Sequence, residues 1–402
     1  MNLSLNLINK LKVNKKIIFL LTFFLIAFPK GGFKVSSIPF TWGYLLLAFF
    51  SLIFLIKKKY GILREHILVL ISFLPFQLIS LLTLLFNGFE KNSFSFGFLI
   101  AFIVSFYCLP FCFFFIFSKN IVNLDLKYFF TLFKRFIFFI SCYGVFLFFY
   151  KILTGKFLEL IFFTINAQDK GFIDIKHINR GAIFKLISTY NNGNLYGICL
   201  IMMLPLYNLI EKKTYKKFIV KSSLIFTLSR TVWIGLIISE FFFDFFIKKN
   251  KKKSFIKFFI SFFIFITALI SIGFACNFSI DWFFDLSFGG RIDQFDILKN
   301  IEIFSTNIFW TIKEIVYLSI LENFSILGFI AFLIAMLSPL IIYLMKNKKT
   351  KKINIDLAVF FGLLTYLIIS CSDGAILYIP IMSLYLFLSS LLLTDKKFNL
   401  DI

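Results

Sequence analysis

Apolar runs close to twenty residues long, separated by short lysine clusters, recur along this 402-residue chain. A helix needs about 20 apolar residues to cross the hydrocarbon core of a bilayer. Inside lipid the backbone must satisfy its own hydrogen bonds, so repeated runs of this kind predict an all-α, polytopic integral membrane protein. With 60% hydrophobic residues, the composition excludes a soluble globular protein of this length. The 65 phenylalanines carry no functional weight, because lipid accepts Phe as readily as Leu.

The expected spans are Lys16–Phe33, Ile38–Ile56, Ile67–Phe86, Phe94–Phe117, Phe136–Leu153, Leu195–Ile210, Phe218–Leu228, Thr231–Phe246, Ser254–Ala275, Phe324–Met345, Leu357–Cys371 and Ala375–Leu393, about twelve in one domain over 1–402. Phe218–Leu228 is too short to cross alone and reads as part of a longer or broken helix. The first run has a basic flank and a short apolar core but no small-residue cleavage site, so it reads as a retained helix.

The net charge of +23 invites a nucleic-acid partner, but its distribution argues against one. The basic residues sit in clusters between apolar runs, the arrangement that sets membrane orientation. With both termini cytoplasmic, 28 of the 43 lysines and arginines fall on the inner side, in short loops. Two long segments, 154–194 and 276–323, then face outward, and long loops are where function tends to sit. In the second, Ile292, Phe295, Leu298 and Ile301 repeat after a Gly-Gly break, which predicts an amphipathic helix on the outer face.

Three of the five arginines, Arg180, Arg230 and Arg291, are expected at that outer face. An arginine is costly in lipid, and its planar fork of donors suits phosphate. The alternative is that each one snorkels to headgroups or caps a helix. Among outward carboxylates, Glu314 is a candidate proton acceptor, or else an interfacial residue paired with Lys313. Asp293 and Asp296 read as a solvated helix face, and Asp373 in "CSDGA" reads as a tight outer turn. His177 is the one outer histidine, read as an exposed loop residue or as an alternative base. "STYNNGNLYG" predicts a turn and helix cap, with ligand contact by Asn192 and Asn194 as the other reading. Six cysteines and two histidines show no metal or redox spacing, so no metal and no cofactor is expected.

"LSRTVWIGL" resembles the Ser-Arg seam of the O-antigen polymerase and O-antigen ligase superfamily. "TYNNGNLYG" is similar to the Asn-rich start of a span in that superfamily. "GGR" with the following amphipathic stretch resembles the opening of its large periplasmic loop, and "EIVYLSILENFSILGF" the stretch that closes that loop. The resemblance covers roughly 180–332.

The resemblance implies a glycosyltransferase of GT-C-like architecture in the bacterial inner membrane. It would act from the periplasmic face on oligosaccharide repeat units carried by undecaprenyl diphosphate. Partners would be that lipid-linked oligosaccharide, membrane lipid and a chain-length regulator protein. Arg180, Arg230 and Arg291 would grip the diphosphate, with Arg230 and Arg291 in catalysis beside Glu314, while Asn192, Asn194 and Tyr317 contact substrate. Ligases usually open the closing motif with histidine and asparagine. Glu314 and Ile315 stand there, which favours a polymerase over a ligase. Ser325 replaces a usual glycine, and a Pro/Gly-rich stretch usual before the motif is absent. A flippase-type transporter is the reading from outside the family, although its usual internal repeat is not visible.

Overall fold

The computed structural model describes residues 15–35, 38–56, 62–155, 158, 179–180, 183–249, 251–275, 292–299, 301–346 and 354–394. Arg291 and His177 lie outside them, as do most of 154–194 and the first part of 276–323. The elements, in order, are α1 (15–22, continued by a π turn Phe23–Ala27), the hairpin β1 (Gly32–Val35) and β2 (Ile38–Thr41), α2 (Trp42–Ile56) and α3 (Arg64–Asn87). Next come α4 (Ser93–Ile103, prolonged to Ile116 through π turns), the short α5 (Ser118–Val122) and α6 (Leu126–Thr154). A two-residue ladder of β3 (Asn179–Arg180) with β4 (Ile183–Phe184) precedes α7 (Gly193–Ile210), α8 (Thr214–Ile225) and α9 (Arg230–Phe242, prolonged to Ile247). The chain continues with α10 (Lys251–Ala275), a 3₁₀ helix Ile292–Lys299, α11 (Val316–Lys346), α12 (Asn354–Ile369) and α13 (Ile379–Leu392).

Every expected span contains a helix. Among the described residues five helices are long and apolar enough to cross a membrane: α3, Ser95–Ile116 of α4, α6, α7 and α11. The chain is thus a membrane-embedded helical protein, with two short antiparallel ladders as its described strands. At 12 residues α8 reaches roughly 18 Å, well short of a ~30 Å core, as its sequence implied.

Local chemistry fixes the ends. Asp125 accepts from the Tyr128 N–H to cap α6, and Gly155, at φ 70°, closes it in the left-handed conformation. At the centre stands α7, buried on nearly all sides. A Cβ on Gly362 of α12 would lie 2.1 Å from the Met202 carbonyl oxygen of α7, so these two backbones touch where glycine permits it. Gly197 admits Val232 of α9 against α7 in the same way. The outside is greasy: Leu85 and Phe86 of α3 and Phe259 and Phe263 of α10 are exposed, as a lipid-facing surface requires.

Two features depart from simple helix. The apolar stripe after Gly290 forms 3₁₀ turns, whose period of three residues matches the spacing of Phe295 and Leu298 better than an α-helix does. Both side chains are exposed. Within α11 the helix breaks at Ser325 (φ 58°, ψ −167°), and the Ile326 N–H donates instead to the Glu302 carbonyl at 3.3 Å.

Candidate functional site

The turn between α8 and α9 brings the Ser-Arg seam to one end of the bundle. Leu228 adopts φ 49°, and the Trp233 indole N–H donates to the Ile225 carbonyl at 2.8 Å, pinning the turn. Arg230 is the first residue of α9 and is half-buried. The strand leading from β4 lies alongside, with the Leu186 N–H donating to the Phe226 carbonyl at 2.9 Å. Gly193, at the start of α7, packs against the Leu186 and Thr227 carbonyls.

Asn192 caps α7, its side-chain oxygen accepting from the Asn194 and Leu195 N–H groups at 2.8 and 3.3 Å. The cap expected from "STYNNGNLYG" is therefore present. Asn194 sits one turn inside a polar cluster. Its Oδ1 accepts from Lys185 Nζ at 3.2 Å, and its Nδ2 donates to Asp373 Oδ2 at 2.8 Å. Lys185 and Asp373 are both buried.

Asp373 lies in the turn that ends α12, with its N–H on the Ile369 carbonyl at 3.0 Å. The neighbouring Ser372 hydroxyl shares a hydrogen bond with Thr231 of α9 at 3.0 Å. The Gly374 N–H donates to the Glu314 carbonyl at 3.3 Å, so the stretch opening α11 is bonded to the same turn. Glu314 itself is exposed. Lys313 Nζ contacts Glu322 Oε1 at 2.6 Å. The Tyr317 hydroxyl donates to the Leu367 carbonyl at 2.7 Å and so ties α11 to α12.

The N-termini of α7, α9 and α13 and the C-terminus of α12 thus meet around one loop, 370–378. Helix N-termini carry partial positive charge and present unsatisfied N–H groups. On the same loop Tyr378 lies beneath the Lys30 ammonium, 4.4 Å from ring centroid to Nζ. The Tyr378 hydroxyl, both polar atoms of the Asn191 side chain and the Thr189 hydroxyl are buried without a hydrogen-bond partner among the described residues. This end therefore offers donors, a buried carboxylate and unsatisfied groups in one place, a chemistry suited to an anion or a polyhydroxyl ligand.

Of the residues marked in the sequence, Asn194 joins this cluster by its side chain and Glu314 by its backbone carbonyl, while Arg230 adjoins it through Thr231, Tyr317 through its bond to α12 and Asn192 through its cap. Arg180 is described through its backbone, paired with Ile183 five residues before Lys185. Asp296 pairs with Lys299 at 2.6 Å on an exposed face, as expected of a solvated position. Sequence reasoning missed Lys185 and gave Asp373 too small a part. The available signal was each one's position as an isolated charge beside an apolar run, where a charge without a task is expensive. Among the described residues no three His, Cys, Asp or Glu side chains gather as metal ligands. Comparison with family models, with curated proteins and with solved structures found no match.

Proposed function

We propose that this chain polymerises oligosaccharide repeat units carried on undecaprenyl diphosphate. It would do so as a GT-C-like glycosyltransferase with about twelve crossings of the bacterial inner membrane, its polar end facing outward. One observation carries the reading: both long segments deliver residues to a single polar cluster. The end of 154–194 brings Lys185 and Asn194, the end of 276–323 is bonded to the same turn through the Glu314 backbone carbonyl, Asp373 completes the cluster, and Arg230 adjoins it through Thr231. A transporter has less use for such an assembly at one end of the bundle.

In this mechanism Arg230 and Lys185 hold the donor diphosphate and stabilise the negative charge that grows on it as the sugar leaves. The acceptor hydroxyl oxygen bonds to the donor anomeric carbon, the bond from that carbon to the diphosphate oxygen breaks, and undecaprenyl diphosphate departs. Glu314 takes the hydroxyl proton. Asp373 positions Asn194, and through it Lys185.

The test is glycan length in a strain lacking the gene and complemented with wild type or Arg230→Ala. The variant, present in the membrane at wild-type amount, should yield surface glycan of one repeat unit. Long chains from the variant would remove the proposal. Loss of all surface repeats in the deletion strain would favour a flippase. Polymer accumulating on the lipid carrier would favour a ligase.

A further inference from the structure

The opposite, lysine-rich end of the bundle holds a second feature that the proposed chemistry does not use. A cleft of about 410 Å3 opens between α8, α9 and α10, lined by one face of each helix. Its ends differ. Towards the lysine-rich end it is charged, with Lys221 paired to Glu240 at 2.5 Å and Lys257 paired to Asp244 at 2.8 Å. Lys248 also reaches Asp244, at 3.0 Å. Towards the α8–α9 turn the lining is apolar, formed by Trp233, Ile237 and Ile264 among others.

From Trp233 to Asp244 the cleft follows α9 for on the order of 16 Å at 1.5 Å per residue. That is about half of a ~30 Å hydrocarbon core, the depth of one leaflet. In the lining Lys221 and Lys257 balance Glu240 and Asp244, and Lys248, reaching Asp244 from beside it, adds a positive charge. Lys251, Lys252 and Lys253 stand exposed at the mouth, next to Ser254 in the lining. An ammonium carries three donors, and the Lys257 side chain is 56% exposed, so it can serve a second acceptor. Helix α10 also carries exposed Ile256, Phe259, Ile260 and Phe263, as a lipid-facing helix does.

A space as deep as one leaflet, cationic at the headgroup end and apolar at the chain end, has the shape of a lipid. We infer that this cleft binds one anionic glycerophospholipid from the leaflet at the lysine-rich end. Its phosphate lies against Lys257 and Lys221, and an acyl chain runs up to Trp233. The lipid ties α10 to α8 and α9, and this site is independent of the glycan reading.

Delipidated full-length protein in detergent is titrated with phosphatidylglycerol, or with phosphatidylcholine of the same chains, and bound lipid is counted by native mass spectrometry. One phosphatidylglycerol should be retained in preference to phosphatidylcholine. Lys257→Gln should weaken it by about fivefold, the scale of one lysine at an anionic lipid surface. Ile237→Trp, which fills the apolar end, should abolish retention in protein that stays monodisperse; if that variant does not fold, Lys257→Gln decides alone. Equal retention of the two lipids, or retention unchanged in Lys257→Gln, overturns the site. So does stronger retention of a polyisoprenyl phosphate than of phosphatidylglycerol in a third titration.

Discussion

The Asn194 amide donates to Asp373 across 2.8 Å and joins positions 179 residues apart, the first turn of α7 and the turn that ends α12. Asp373 is 5% exposed, so its carboxylate relies on hydrogen bonds from within the protein, and the Asn194 amide supplies one of them. Asn194→Ala and Asp373→Ala should each cost about 1–3 kcal/mol of stability. In a double-mutant cycle they should couple, the pair costing less than the sum by on the order of 1 kcal/mol. Denaturant unfolding in detergent measures this, and strict additivity would show that the contact does not form.

Arg230 tests whether the cluster needs a fork of donors or only a charge. It opens α9 beside the buried Asp373 turn, through the Thr231–Ser372 bond. If it grips a diphosphate in bidentate fashion, Arg230→Lys keeps the charge and loses the planar pair of N–H groups. Glycan from Arg230→Lys should then be shortened, between wild type and Arg230→Ala, with protein abundance unchanged. Full-length chains from Arg230→Lys would mean that the guanidinium acts as a point charge.

Helix positions were legible because hydrophobicity is written locally, and Arg64–Asn87 and Gly193–Ile210 match their runs within a few residues. The Asn192 cap was legible for the same reason, since a cap spans a few adjacent residues. The Asn194–Asp373 bond was not, because nothing near "CSDGA" signals which distant helix end will meet it. Lys185 was hidden inside "GAIFKLIS", where a lone lysine reads as noise until its partner is seen. Spacing alone also could not separate three residues per turn from 3.6 at Ile292–Lys299.

Ser325 stands in a backbone conformation, φ 58° and ψ −167°, that is close to glycine's own. Ser325→Gly should therefore stabilise the chain by about 1 kcal/mol or more, by relieving strain of the order of 1–3 kcal/mol. Ser325→Val should destabilise it, since a branched Cβ meets the same conformation inside a buried site. Unfolding midpoints of both variants decide the matter, and a less stable glycine variant would show that the serine side chain outweighs the strain.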